Sequence, residues 1–155
     1  MSAEGARLIV FSVAGRSHAL VLQQAAEVLE GMPTHPVPGV PSFLDEAVNV
    51  RGRIVPVLDL APFMGLGPRT AGGTIIVLDR QVAELALRVG GGVSILPSDR
   101  VSGADESDQP VIERYLLTAR ERVALLAVER LVELVEEKLS NSMWRINGQD
   151  SDDRG

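Results

Sequence analysis

The chain has 155 residues, 45% hydrophobic and 23% charged, enough for one soluble domain or two small lobes on a shared core. A net charge of −6, with Lys138 the only lysine, leaves no basic stripe to displace counterions from phosphates, which argues against a nucleic-acid binder. Cysteine is absent, so disulfides and thiolate metal sites are excluded, and with aromatics at 3% the core must be aliphatic.

The opening MSAEGARL lacks the apolar stretch of a signal peptide, and no apolar run approaches the ~20 residues of a membrane helix. A cytoplasmic protein is therefore expected. RLIVFSVAG and RSHALVL read as two strands joined around Gly15 and Arg16, with turn residues between β-branched runs. QQAAEVLEGM is either a short helix or a bent extension of the second strand, because periodicity alone does not separate the two. PTHPVPGVP holds four prolines and is expected as an extended edge segment. SFLDEA fits one helical turn, with Ser42 as N-cap and Asp45 at its third position.

NVRGRIVPVLDL sets Arg51 and Gly52 between two apolar runs, as a hairpin would. Pro56 cannot donate to a sheet ladder, so the second run must include an edge or a bulge, and an unpaired edge there is open to a partner strand. Asp59 is placed to cap the short helix or turn LAPFMGLG, which gives Pro56 and Asp59 structural roles. PRTAGG looks like a lobe boundary, after which TIIVLD, VAELALRVGGGVSIL, VIERYLLTA and VALLAV restart the strand pattern. In ERLVELVEEKL, Leu131, Leu134, Val135 and Leu139 share one helical face. Residues 147–155 read as a disordered polar tail. Many short strands with Gly and Pro turns favour a small barrel or a pair of barrels.

Catalytic patterns fail one by one. His18 and His35 fall in different elements, and no set of three or four ligands surrounds either, so no metal or other cofactor is expected. GRSHA at 15–19 ends on Ala19 and joins two strands, unlike a nucleophile elbow. Neither GLG at 65–67 nor GGG at 90–92 is followed by the Lys-Ser/Thr of a phosphate loop. For Gly52 a hairpin tip is a complete explanation, since glycine tolerates positive φ. It does not explain Arg51, whose guanidinium suits a carboxylate on a partner.

HALVLQQAAEV at 18–28, HPVPGVPSFL at 35–44 and NVRGRIVPVLDL at 49–60 together resemble the CheW family of chemotaxis coupling proteins. Ala19, Leu20, Glu27 and Val28 match the first part of the family pattern; Asn49, Arg51, Gly52, Ile54, Pro56, Val57, Asp59 and Leu60 match the last. The resemblance implies a mostly β fold of two small five-stranded SH3-like barrels sharing a core, with short helices and a C-terminal helix. Residues 1–146 would form the domain, with one lobe at about 7–66 plus a C-terminal return and the other at about 73–120. It also implies no enzymatic activity. Its partners would be the regulatory domain of a CheA-type histidine kinase and the cytoplasmic tip of methyl-accepting chemoreceptors, with recruitment to membrane-associated arrays. Arg51, Asn49, Gly52, Val28 and Glu27 are the partner-binding candidates. Ala86, Gly90 and Ala127 depart from the family's G-L-x-V-D and L-L-D patterns, and His18 and Val21 replace its Tyr and Pro, which suggests a specialised member. A second expectation is a sensor whose inter-lobe groove, aliphatic with Arg51 at its rim, holds an acidic metabolite.

Overall fold

A computed structural model describes residues 7–153, with side chains described from 7 to 142. The reading of the first six residues therefore lies outside the described residues. Strands β1 (Arg7–Val13) and β2 (Arg16–Val21) form an antiparallel hairpin with Val13 opposite Arg16. Ala14 and Gly15 between them both have positive φ, 51° and 78°, the type I′ geometry that matches the twist of two-residue hairpins. After a 3-10 turn at Leu22–Gln24 the chain enters β3 (Ala25–Glu30). Ala25, Glu27 and Leu29 are half-buried while Ala26, Val28 and Glu30 are exposed, so the period is two and the segment is a strand.

The proline-rich stretch contributes only β4 (His35–Pro36), an edge strand on β5 (Glu46–Val50), as its composition requires. Ser42–Leu44 makes a 3-10 turn, but Pro41 occupies the N-cap position and no side chain caps it; Asp45 turns instead to Arg69. Then follow β6 (Arg53–Asp59), α1 (Leu60–Phe63), β7 (Thr74–Leu78), β8 (Ala86–Pro97), β9 (Gly103–Glu106), β10 (Ile112–Leu117), β11 (Arg122–Leu126) and α2 (Val128–Asp153). The helix runs through residues 147–153, which were expected to be a disordered tail. No proline interrupts it, and Gly148 costs a helix only about 1 kcal/mol.

The strands pair as β4-β5-β6-β8-β1-β2-β11-β10-β9, with β7 bridging β8 and β3. Strand β8 belongs to both halves of the molecule. Its first residues pair with β6 in parallel and with β7, and Ser94–Pro97 pair with β1. One half is thus β3 to β7 with the start of β8; the other is β1, β2, the end of β8 and β9 to β11. This differs from a lobe at about 7–66 plus a C-terminal return and another at about 73–120: β11 does return to β2, through the parallel pairing of His18 with Ala124 and Ala19 with Leu125, but β3 to β6 side with β7 and β8, and β9 and β10 side with β1 and β2.

Central strands are buried on both faces and send alternate residues to different cores, which is why they read as continuous apolar runs. Val55, Val57, Ile75 and Val77 pack inside the first half. Leu8, Ala19, Val123 and Leu125 pack inside the second. Between the halves a larger core takes Phe11, Leu58, Ile76, Leu87 and Leu126, and receives Leu131 and Val135 from α2. Each fully buried side chain of this size contributes roughly 1.5–3 kcal/mol. The architecture is mostly β with one C-terminal helix, consistent with a pair of small SH3-like barrels sharing a core.

Candidate partner-binding surface

The β5–β6 hairpin repeats the turn geometry of β1–β2. Arg51 has φ 53° and Gly52 φ 85°, so both central residues are left-handed. Glycine accepts this freely, but an L residue with a Cβ pays about 1–2 kcal/mol there. Asn49 offsets part of the cost, its Oδ1 accepting the Gly52 N–H at 2.7 Å. At the tip, the Arg51 side chain is 83% exposed and reaches Glu27, Nη2 donating to Oε1 at 3.1 Å. A pair this exposed is worth at most about 1 kcal/mol. Its effect is to orient the guanidinium while leaving other N–H donors free for a carboxylate.

Glu27 comes from β3, 24 residues away in sequence, so the fold brings together Glu27, Asn49, Arg51 and Gly52. Val28 does not join them: as the next residue along the strand it points to the opposite face, where it is 37% exposed. Ile54, matched to the family pattern but not picked as a site residue, faces Asn49 across the hairpin and is 63% exposed. The signal was readable, since Val55 and Val57 point inward and the alternation sends Ile54 out. The tip therefore presents a cation and an aliphatic surface together.

Pro56 sits where it does no harm. β8 pairs with β6 only from Val57 to Asp59, so Arg53–Pro56 bond to β5 alone and their other side is an edge. Asp59 stands at the N-cap position of α1 without capping it. Its buried carboxylate accepts from the Thr70 N–H at 2.7 Å and the Thr70 hydroxyl at 2.9 Å, which ties the 67–73 loop to the strand. Its role is structural, by a different bond from the one expected.

Behind the hairpin lies a polar network that sequence reasoning missed. Arg88, buried in β8, donates to the Gly72 carbonyl, to Thr34 Oγ1 at 3.1 Å and to Glu46 Oε1 at 3.4 Å. Arg69 holds Asp45 with two bonds, at 2.8 and 3.2 Å, and approaches Glu46 at 3.4 Å. The Arg69 guanidinium keeps the Asp45 carboxyl below its ordinary range. An arginine inside the apolar run LALRV was the available signal, because a buried cation needs a partner. Among the described residues, no group of three or more His, Asp or Glu side chains is arranged to hold a metal ion.

The profile of the CheW-like domain matches residues 7–136. The chain is 26% identical over 106 residues to a probable chemotaxis protein CheW of Rhizobium etli, covering 68% of this chain and 66% of that one. It is 33% identical over 62 residues to a chemotaxis protein CheW of Bacillus subtilis, 40% of each chain. It thus spans just under two thirds of the length of the Rhizobium relative. The crystal structure of the scaffolding protein TtCheW from Thermoanaerobacter tengcongensis superposes with a TM-score of 0.66 at 23% identity, over 79% of this chain and 88% of that one, and shares the fold. With a profile match across most of its length, the chain belongs to the CheW-like domain family.

Proposed function

We propose that this chain is an adaptor that couples chemoreceptors to a CheA-type histidine kinase, with the β5–β6 tip contacting the kinase regulatory domain. The observation that carries the reading is Arg51 itself: left-handed at φ 53° and 83% exposed, it occupies a turn position that Asn or Gly would fill at lower cost. Strain kept at an exposed cation is a reason to look for what the cation binds. Asn49 and Gly52 shape the turn, Glu27 aims the guanidinium, and Ile54 supplies apolar contact beside it. Val28 belongs to the proposal as an exposed aliphatic on β3, a strand that pairs only with β7 and so offers a free edge. The second partner in this reading is the cytoplasmic tip of chemoreceptors, which implies work in the cytoplasm at membrane-associated arrays. Among the described residues no helix is long and apolar enough to cross a membrane.

A specialised member with a single or non-standard partner is the weaker reading. Ala86 and His18, two of the departures that suggested it, are buried, and Gly90 packs against Ser12, whose hydroxyl donates to the Gly90 carbonyl at 2.9 Å. These changes repack the interior and leave the hairpin tip unaltered. Calorimetry with the regulatory domain of a CheA-type kinase from the same organism tests the proposal. Binding weakened at least tenfold by Arg51→Glu, about 1.4 kcal/mol, is the expected result; no binding, or equal binding by the variant, removes it.

A further inference from the structure

A cavity of about 570 Å³ opens between β2, β10 and β11 on one side and the segment that follows α1 on the other. Arg51 does not line it, so the expected groove with that arginine at its rim is not what this cavity provides. Two other arginines do. Arg16 and Arg122 both border the cavity, and neither has a carboxylate partner among the described residues. Arg122 is held in place by Tyr115, its Cζ lying 4.0 Å from the ring centroid. Glu121 is the one carboxylate in the wall, and its Oε1 already accepts the Ser17 hydroxyl at 2.5 Å. Two guanidiniums against one engaged carboxylate leave the mouth net cationic.

The opposite wall is apolar, built by Met64 and Leu66. Between the two characters sits His18, which is only 4% exposed. Its Nδ1 lies 2.9 Å from the Arg16 carbonyl. A carbonyl can only accept, so Nδ1 carries the proton and Nε2 is left as a neutral acceptor. Burial pushes the ring further toward the neutral form. No partner among the described residues meets Nε2.

The geometry points to a binding site for a small aliphatic carboxylate that carries a hydrogen-bond donor beside its carboxyl group. Arg16 and Arg122 take the carboxylate, His18 Nε2 accepts from the donor, and Met64 and Leu66 cover the aliphatic body. An α-hydroxy acid and an α-amino acid share this chemistry; the ammonium of the second would also meet the free oxygen of Glu121. This inference does not depend on the kinase-coupling reading, because no residue of the β5–β6 tip takes part.

The test is calorimetry on the full chain with 2-hydroxy-4-methylpentanoate, leucine, 4-methylpentanoate and 3-methylbutylamine, alongside imidazole NMR of the protein's two histidines. Either donor-bearing acid should bind, shift the His18 Nε2 resonance and lose at least tenfold in affinity in both Arg16→Gln and Arg122→Gln. Arg51→Glu should bind as the parent does. The relative strengths of the hydroxy acid and leucine decide between the two sources. If neither acid binds, if the amine or 4-methylpentanoate binds as well as they do, or if folded Arg16→Gln and Arg122→Gln keep full affinity, the assignment is overturned. Thermal unfolding of each variant separates lost binding from lost fold.

Discussion

Two arginines in the same half of the molecule each reach a glutamate, yet they do opposite work. Arg51 meets Glu27 at 3.1 Å with its side chain 83% exposed; Arg88 meets Glu46 at 3.4 Å with its side chain 8% exposed. Distance does not distinguish them, and neither does residue type. Surroundings do. Around Arg88 three bonds run to protein acceptors, which come from the 31–34 segment, the start of β5 and the 70–73 loop, so the guanidinium fastens three pieces of chain. Around Arg51 one donor is engaged and the rest face water. The first arrangement is complete without a partner, and the second is not.

That contrast can be broken by substitution. Arg88→Met should cost about 3 kcal/mol, since removing one member of a buried pair leaves its glutamate uncompensated. Glu46 keeps the Thr34 hydroxyl at 2.8 Å and the nearby Arg69, which holds the effect to the lower end of the range for such losses. Urea unfolding measures it, and a loss under about 1 kcal/mol would mean the network carries little. Arg51→Glu should leave the unfolding free energy within about 0.5 kcal/mol of the parent, as for an exposed residue, while weakening kinase binding at least tenfold. A smaller and more telling effect is expected of Arg51→Asn. Asparagine is preferred in the left-handed region and cannot reach Glu27, so stability should rise by about 0.5–1 kcal/mol while kinase binding falls. The β1–β2 turn is the control, because Ala14 has φ 51° and no guanidinium. Ala14→Asn should bring a similar gain with no change in binding. A drop in stability for Arg51→Asn would show that the arginine is there for the fold.

The same two regions show what could be read from the chain. Both hairpins were legible because turn chemistry is local: Gly15 and Gly52 sit between β-branched runs, and two-residue turns need positive φ. The face of α2 was legible for the same reason, Leu131 and Val135 being buried at the expected spacing. What failed was non-local. The pairing of β6 with β8 joins Val57 to Ala86, and no pattern within either strand announces it. Asp59 looked like a helix cap because a cap is a local bond, while its actual partner Thr70 lies 11 residues on in an irregular loop. The partner-binding candidates came from family resemblance, and the fold joins four of them while sending Val28 to the other face. Ile54 was available from strand alternation alone.

The smallest expected effect concerns pH, and it separates interior from surface once more. Burial lowers the His18 pKa from its ordinary 6.5, so the unfolded chain binds a proton there before the folded one does. The Arg69 bond lowers Asp45 from its ordinary 3.8, with the same sign. Both groups therefore contribute fully above their unfolded pKa values, and the contribution is lost as pH falls toward the folded ones. The urea midpoint should be flat above about pH 7, decline below 6.5 as His18 is forced to charge, and decline again below 3.8 as Asp45 is protonated. In His18→Gln the first decline should vanish while the second remains. In Arg69→Gln the first should remain, and the part of the second that comes from Asp45 should flatten. Asp45 is partly exposed, so its step is also the one that 0.5 M salt should shrink, whereas the His18 step arises from desolvation and should hold. A midpoint that rises on acidification from pH 7 to 5 would contradict the buried, neutral imidazole on which both the folding argument and the proposed carboxylate site depend.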